Sequence, residues 1–238
     1  RSRLVGAFAT PIVFWLFIGL GMGRSFTGDG AVPTSGYIAY FFPGTILMIV
    51  LFTAIFSTIS VIEDRREGFL QSVLVSPVSR ASIVLGKILG GTSLATIQAS
   101  LFLSLGPLIG VSYTLASLCW TIGIILLLSF ALTGLGFIIA WSMESTQGFH
   151  AVMNLLLMPM WFLSGALFPV SGAMGGIGWL MRLNPLTYGH AALQATLHSG
   201  GSVSWTTPAP FTMNILVTLA FAAAMFVTAC VVASRPSV

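Results

Sequence analysis

Glu63-Asp64-Arg65-Arg66-Glu67-Gly68-Phe69-Leu70-Gln71-Ser72-Val73-Leu74-Val75-Ser76-Pro77-Val78-Ser79-Arg80 opens with five ionisable side chains in a row, set between long apolar runs. Each such group costs about 2.5–3.5 kcal/mol near the centre of a bilayer, so five together cost on the order of 15 kcal/mol. The segment therefore belongs in water or against another protein, at the edge of a membrane.

The flanking sequence requires that membrane. Of 238 residues, 56% are hydrophobic and 6% charged, and the mean hydropathy is +1.01. A soluble domain carries about a quarter charged residues. The chain reads as an all-α, multi-pass membrane protein. Its net charge of +4 comes from nine scattered Lys and Arg residues, too few to track a phosphate backbone, so no nucleic-acid partner is expected. Cys119 and Cys230 lie in apolar runs and read as small buried hydrophobes. The opening Arg1-Ser2-Arg3 has no methionine, and the first apolar run is of full spanning length without a small-residue cleavage site. A signal peptide is not expected there, and a further N-terminal piece before Arg1 is.

A helix needs about 20 apolar residues to cross about 30 Å of hydrocarbon. Six stretches qualify: Leu4–Met22, Tyr37–Ile62, Ala81–Leu105, Leu118–Trp141, Phe149–Leu167 and Phe211–Ala233. The uncharged run from Ile88 to Trp141 is too long for one span and divides at Gly106-Pro107 and Ser112-Tyr113-Thr114. Ser142 to Gly148 is a polar connection, and Lys87 is placed to reach back to the interface. Residues 168–210 are rich in Gly and Pro, and Ala173–Leu183 and Pro185–Leu197 are each helical but too short to span. A re-entrant or surface-lying hairpin fits them. With the N-terminus inside, the inner side collects Arg1, Arg3, Arg65, Arg66, Arg80, Lys87 and Arg235, against Arg24 and Arg182 outside. That bias places both termini and the charged run in the cytoplasm.

Phe69, Leu70, Val73 and Leu74 share one helical side with Ile62, while Asp64, Glu67, Gly68 and Gln71 take the other. We expect a short amphipathic helix over about 63–75, lying along the membrane and ending before Pro77. An anchor to anionic lipid would favour Lys and Arg alone. Mixed signs suit a docking surface for a protein.

The pattern Glu63…Arg65-Arg66-Glu67-Gly68…Leu74-Val75-Ser76-Pro77-Val78-Ser79-Arg80…Lys87 resembles the cytoplasmic signature of ABC-2 type permeases. The chain is most similar to the daunorubicin-resistance and nodulation-exporter branch. A second block resembles the family at the fifth helix and the loop after it: Pro159…Leu163-Ser164-Gly165…Phe168-Pro169…Trp179…Asn184-Pro185-Leu186-Thr187-Tyr188. With the spans, the resemblance covers nearly the whole chain. Two positions depart from the family pattern, Gln71 in place of a frequent Glu and Gln194 in place of a frequent Arg.

The resemblance implies a six-helix permease of an ATP-binding-cassette exporter in the cell membrane. It would pair with a second permease copy or homologue and with two copies of a separate ABC ATPase, which would hold Mg-ATP. Glu63, Asp64, Arg65, Arg66, Glu67, Gly68 and Gln71 would contact that ATPase, with Glu144 as an interface charge or second contact. Ser164, Gly165, Phe168, Pro169, Asn184, Pro185 and Tyr188 would form an outer hairpin or gate, and Arg182 with Asn184-Pro185 would set its return.

No Gly-x-x-x-x-Gly-Lys-Ser/Thr loop occurs, so ATP hydrolysis and its cofactor are expected on the partner chain rather than here. His190 and His198 are eight residues apart and His150 falls on the other side of the membrane, so no metal site is expected. Met153, Met158 and Trp161 could line a greasy path, though packing and lipid contact account for them as well. The Gly-x-x-x-Gly pairs Gly19/Gly23, Gly86/Gly90 and Gly106/Gly110 carry no weight in so Gly-rich a chain. An ion- or proton-coupled transporter is the alternative, but it generally places ionisable groups at mid-membrane, and none lies deep here. An intramembrane enzyme lacks a buried catalytic pair. A path without deep charge suits an amphiphile: a drug, a lipid or a lipid-linked glycan.

Overall fold

In a computed structural model of the chain, residues 11–19, 21, 34–68, 78–170, 175–197 and 209–234 are described, and among them there is no strand. Residues 11–19 form α1. Then follow α2 (Thr34–Ser57), α3 (Ile59–Arg66), α4 (Arg80–Leu103), a 3₁₀ turn (Gly106–Ile109) and α5 (Leu115–Trp141). After these come α6 (Thr146–Phe162), α7 (Gly176–Leu183), α8 (Pro185–Leu197) and α9 (Phe211–Ser234). Four of the described helical stretches are long and apolar enough to cross a membrane: Tyr37–Arg66, Arg80–Ile109, Leu115–Trp141 and Phe211–Ser234.

Polar residues at the apolar ends start these helices. Ser79 accepts from the Ser82 amide at 3.2 Å, and Ser145 accepts from the Gly148 amide at 3.3 Å. Thr114 and Ser117 satisfy each other's amides in a reciprocal cap at the head of α5. Such caps matter because the first amides of a helix have no intrahelical acceptor. Within the spans, hydroxyls turn back to the preceding turn, as Thr92 does to the Ile88 carbonyl at 2.7 Å and Thr133 to that of Ser129 at 2.7 Å. No water is needed for these groups.

The core is built around α2, the most enclosed span at 67% buried against 17% for α9. Phe14 and Trp15 of α1 reach in to Phe41, Phe42, Phe102 and Trp161. Helices cross where a side chain is missing. A Cβ on Gly91 would stand 2.3 Å from Ser57 Oγ and 2.6 Å from Thr133 Cγ2, joining α2, α4 and α5. One on Gly136 would stand 3.0 Å from Ile55 Cα. Such close approach favours small residues, because lipid tails supply no hydrophobic drive between helices. Gly86 and Gly90 face open space instead.

Several boundaries differ from expectation. The second span does not stop at Ile62. After a single irregular turn at Thr58, whose hydroxyl donates to the Ile55 carbonyl at 2.6 Å, helix continues to Arg66. Glu63 to Arg66 are therefore the last turn of that span rather than the start of a separate helix, and Gly68 ends it with φ +76°. A left-handed residue just past a helix end is where glycine is favoured. Residues 69–75 of the expected amphipathic helix, with Gln71, lie outside the described residues. The fifth helix ends at Phe162 instead of Leu167, because Gly165 turns the chain with φ +85°. Pro185–Leu197 forms as read, but most of it is buried against α2, α5 and α9, so it does not lie on the surface. The cysteines are also misjudged: Cys119 is exposed and Cys230 only half-buried. In a bilayer an apolar side chain can face lipid, so hydrophobicity does not imply burial within the protein.

Candidate functional site

Every described charged residue except Arg182 lies at one end of the bundle, where α3 and α5 end, α4 and α6 begin, and α9 ends. The last turn of α3 is locked there. Arg65 donates through Nη2 to the carbonyl oxygen of Trp141 and lies 5.3 Å from the centroid of that indole. Trp141 is the final residue of α5, and its carbonyl would otherwise be an orphan. The preceding carbonyls of α5 are satisfied locally: Ile138 by the Ser142 hydroxyl at 3.2 Å, Ile139 by the Ser142 amide at 3.1 Å and Ala140 by the Met143 amide at 3.3 Å. A guanidinium is suited to the remaining place, because it carries charge to the negative end of the helix dipole and stacks on the ring as it donates.

Arg66 donates through Nε to the Glu144 carbonyl at 3.1 Å, gripping the elbow between α5 and α6. Asp64 pairs with Lys87 of α4, and Arg80 donates to the Ala233 carbonyl, the penultimate residue of α9, at 2.8 Å. Ile62, Arg65, Arg66, Glu144 and Ser145 line an open hollow of about 480 Å³ on this face. Glu67 and Glu144 are both exposed on this face.

The opposite end of α6 carries the second candidate cluster. Trp161 is fully buried and its indole N–H donates to the Gly44 carbonyl at 2.9 Å. Beyond it, Tyr40 donates to the Gly165 carbonyl at 2.7 Å and Tyr37 to that of Leu167 at 3.3 Å, so the turn after α6 lies along α2. Asn184 joins α7 and α8: its Nδ2 donates to the Met160 carbonyl at 2.6 Å and its Oδ1 accepts from the Leu186 amide at 3.1 Å. Thr187 donates to the carbonyls of Leu163 and Met181, and Tyr188 to that of Arg182. Gly165 and Asn184 are thus held at the end of α6, where Ser164 also donates to the Trp161 carbonyl at 2.6 Å, while Tyr188 ties α8 back to α7. Phe168 and Pro169 are half-buried.

A profile of the ABC-2 type transporter family matches residues 1–198. The chain belongs to that family. It is 27% identical over 198 residues to nodulation protein J of Rhizobium meliloti (strain 1021), covering 79% of this chain and 71% of that one. Nodulation protein J of Neorhizobium galegae is 29% identical over 216 residues, 84% of this chain and 79% of that one. The transport permease ycf38 of Cyanophora paradoxa is 28% identical over 156 residues, 65% of this chain and 54% of that one. The family and its named relatives are transport permeases, and this member is a membrane-embedded transport subunit rather than an enzyme. ABC-2 permeases work with an ABC ATPase.

Of the residues this ABC-2 family member's sequence offers as the ATPase contact, Glu63 to Gly68, Gln71 and Glu144, the hollow is lined by Arg65, Arg66 and Glu144. Sequence reasoning did not see the ties made by Arg65, Arg80 and Lys87, whose partners are 76, 153 and 23 residues away. No periodicity links positions so far apart. Met153, Met158 and Trp161 share no single surface: Met153 and Trp161 point into the core beside Phe149 and Leu157, while Met158 is 41% exposed on the far side of α6. His190 is buried in α8, and His198 lies outside the described residues.

Proposed function

We propose that this chain is the permease subunit of an ATP-binding-cassette exporter in the cell membrane, with six spans and both termini cytoplasmic. It works with a second permease copy or homologue and two copies of an ABC ATPase that hold Mg-ATP. The observation that carries this reading is the concentration of mixed-sign charge on one end of the bundle, where every described charged residue but Arg182 lies. Residues 63–68, continued by Gln71, form the contact through which ATP-driven closure of the ATPase reaches the membrane helices, and Glu144 is a second contact. Both signs at one interface set register and exclude wrong partners.

The outer assembly is the gate, and residues 168–210 form a re-entrant hairpin. That is supported by α8, whose 13 residues reach only about 20 Å. A Cβ on its Gly189 would stand 2.4 Å from Leu128 Cδ2, halfway along α5, while Thr196 meets Thr121 near the start of α5 at 2.9 Å. The helix thus rises from mid-depth toward the outer end. The uncharged interior suits an amphiphilic cargo such as a drug, a lipid or a lipid-linked glycan.

The test uses everted membrane vesicles containing the complete permease and its cognate ATPase, with doxorubicin and a fluorescent phospholipid as probes. Uptake of either probe that requires ATP hydrolysis and survives an uncoupler is the expected result. Uptake that persists without ATP and collapses with the uncoupler would establish an ion-coupled transporter instead.

A further inference from the structure

Two arginines at the inner ends of α3 and α4 do more than carry charge. Arg65, in the last turn of α3, holds the last carbonyl of α5 and stacks on Trp141. Arg80, the first residue of α4, holds the penultimate carbonyl of α9. Asp64 and Lys87 in turn pair α3 with α4. We propose that Arg65 and Arg80 are positioning residues that yoke the inner ends of α3 and α4 to the inner ends of α5 and α9, so that a push on residues 63–68 moves those helices with it. The inference rests on the reading of residues 63–68 as the ATPase contact.

A helix carries its hydrogen-bonding pattern as a stiff rod, so gripping its last carbonyl grips the whole helix. A guanidinium cannot lose its charge in a protein and offers several donors in a fixed plane, which lets Arg65 bond the carbonyl and cover the indole at once. An ammonium can make the bond but not the stacked fork. Arg66 extends the same grip to the elbow before α6 through the Glu144 carbonyl. Since α6 ends in the Trp161–Gly44 bond and the Asn184 assembly, the yoke also gives inner-end movement a rigid route to the outer gate.

The test takes the complete transporter complex in lipid nanodiscs, with both native cysteines replaced by alanine. Spin-label pairs at positions 67 and 147, and at 78 and 234, span the two ties. Each pair is expected to give one narrow distance distribution that is the same without nucleotide and after vanadate trapping. Arg65→Gln broadens only the first pair, Arg80→Gln only the second, and Arg65→Lys partly restores the first. A cysteine at Phe168 supplies the outer readout. Its alkylation rate changes several-fold on trapping in the parent complex, and Arg65→Gln abolishes that response while the second distance distribution stays narrow, a split that loss of folding does not produce. The yoke is overturned if the parent distances shift by about 5 Å, one helical pitch, between nucleotide states. It is equally overturned if Arg65→Gln leaves the first distribution narrow. That variant comparison is made without nucleotide, so it decides the yoke independently of the ATPase. A parent complex without ATP turnover overturns the coupling reading instead.

Discussion

Trp161 donates its indole N–H to the carbonyl oxygen of Gly44 across 2.9 Å, at the level where α6 ends against α2. The same glycine has no room for a side chain, since a Cβ would stand 2.8 Å from Ala166 Cβ and 3.0 Å from the Ala166 carbonyl oxygen. The contact is with backbone, which cannot swing aside. Gly44→Ala is expected to cost about 1–3 kcal/mol through overpacking. Gly86→Ala, on the open face of α4, is expected to be neutral or to stabilise by up to about 1 kcal/mol, the helix-propensity difference. Thermal unfolding in detergent, followed by tryptophan fluorescence, checks the contrast.

Trp161→Phe keeps a ring beside Phe14 and Phe41 but removes the donor and part of the indole's volume. The expected loss is about 1–3 kcal/mol, the net value of one buried hydrogen bond plus the space the smaller ring leaves. The same unfolding assay reads it, and Trp161→Ala should cost clearly more because it leaves a larger cavity.

Asn184 is 9% exposed and uses both ends of its amide. Asn184→Ala removes the donation to Met160 and the acceptance from Leu186, at an expected cost of about 1–3 kcal/mol. Asn184→Asp keeps the acceptor but sets a carboxylate against the Met160 carbonyl. Burial and that oxygen favour the protonated acid, so its folded-state pKa is raised. This variant should be weakest at neutral and high pH and recover as pH falls through that raised value, as an unfolding series between pH 4 and 8 would record.

Tyr113, in the loop before α5, donates to the Leu103 carbonyl at 2.9 Å. Burial pushes its phenol up to about 12 from the usual 10. Between about pH 10 and 12 the unfolded chain loses a proton that the folded chain keeps, so stability falls as pH rises through that window. The difference in ultraviolet absorbance between the parent and Tyr113→Phe, titrated with base, should show one phenol ionising near 12. A step near 10 would mean that the site is open to water.

Much of this architecture was legible in the chain because polar punctuation interrupts it. Gly106-Pro107 and Thr114 divide the long apolar run, and Asn184-Pro185 separates the two short helices where the structure does. Charge alone does not mark a helix boundary in this chain. Glu63 to Arg66 stay helical because Asp64 has Lys87, Arg65 has Trp141 and Arg66 has the Glu144 carbonyl. Those partners are distant in sequence and two of them are main-chain oxygens, which composition and periodicity do not report. The end of α6 escaped for a similar reason: Leu163 to Leu167 are apolar enough to continue a span, and only the φ of Gly165 and the tyrosines of α2 turn them aside.

The central claim, that Glu63 to Gly68 face an ATPase in the cytoplasm, has a direct measurement. Glu67 in the complete protein is replaced by the photo-crosslinking residue p-benzoyl-phenylalanine and irradiated in its own cell membrane, with Arg182 replaced in a parallel preparation. The account predicts an adduct with an ABC ATPase, identified by mass spectrometry, from position 67 and none from position 182. An ATPase adduct from position 182, or its absence at 67 while the complex remains intact, would contradict it.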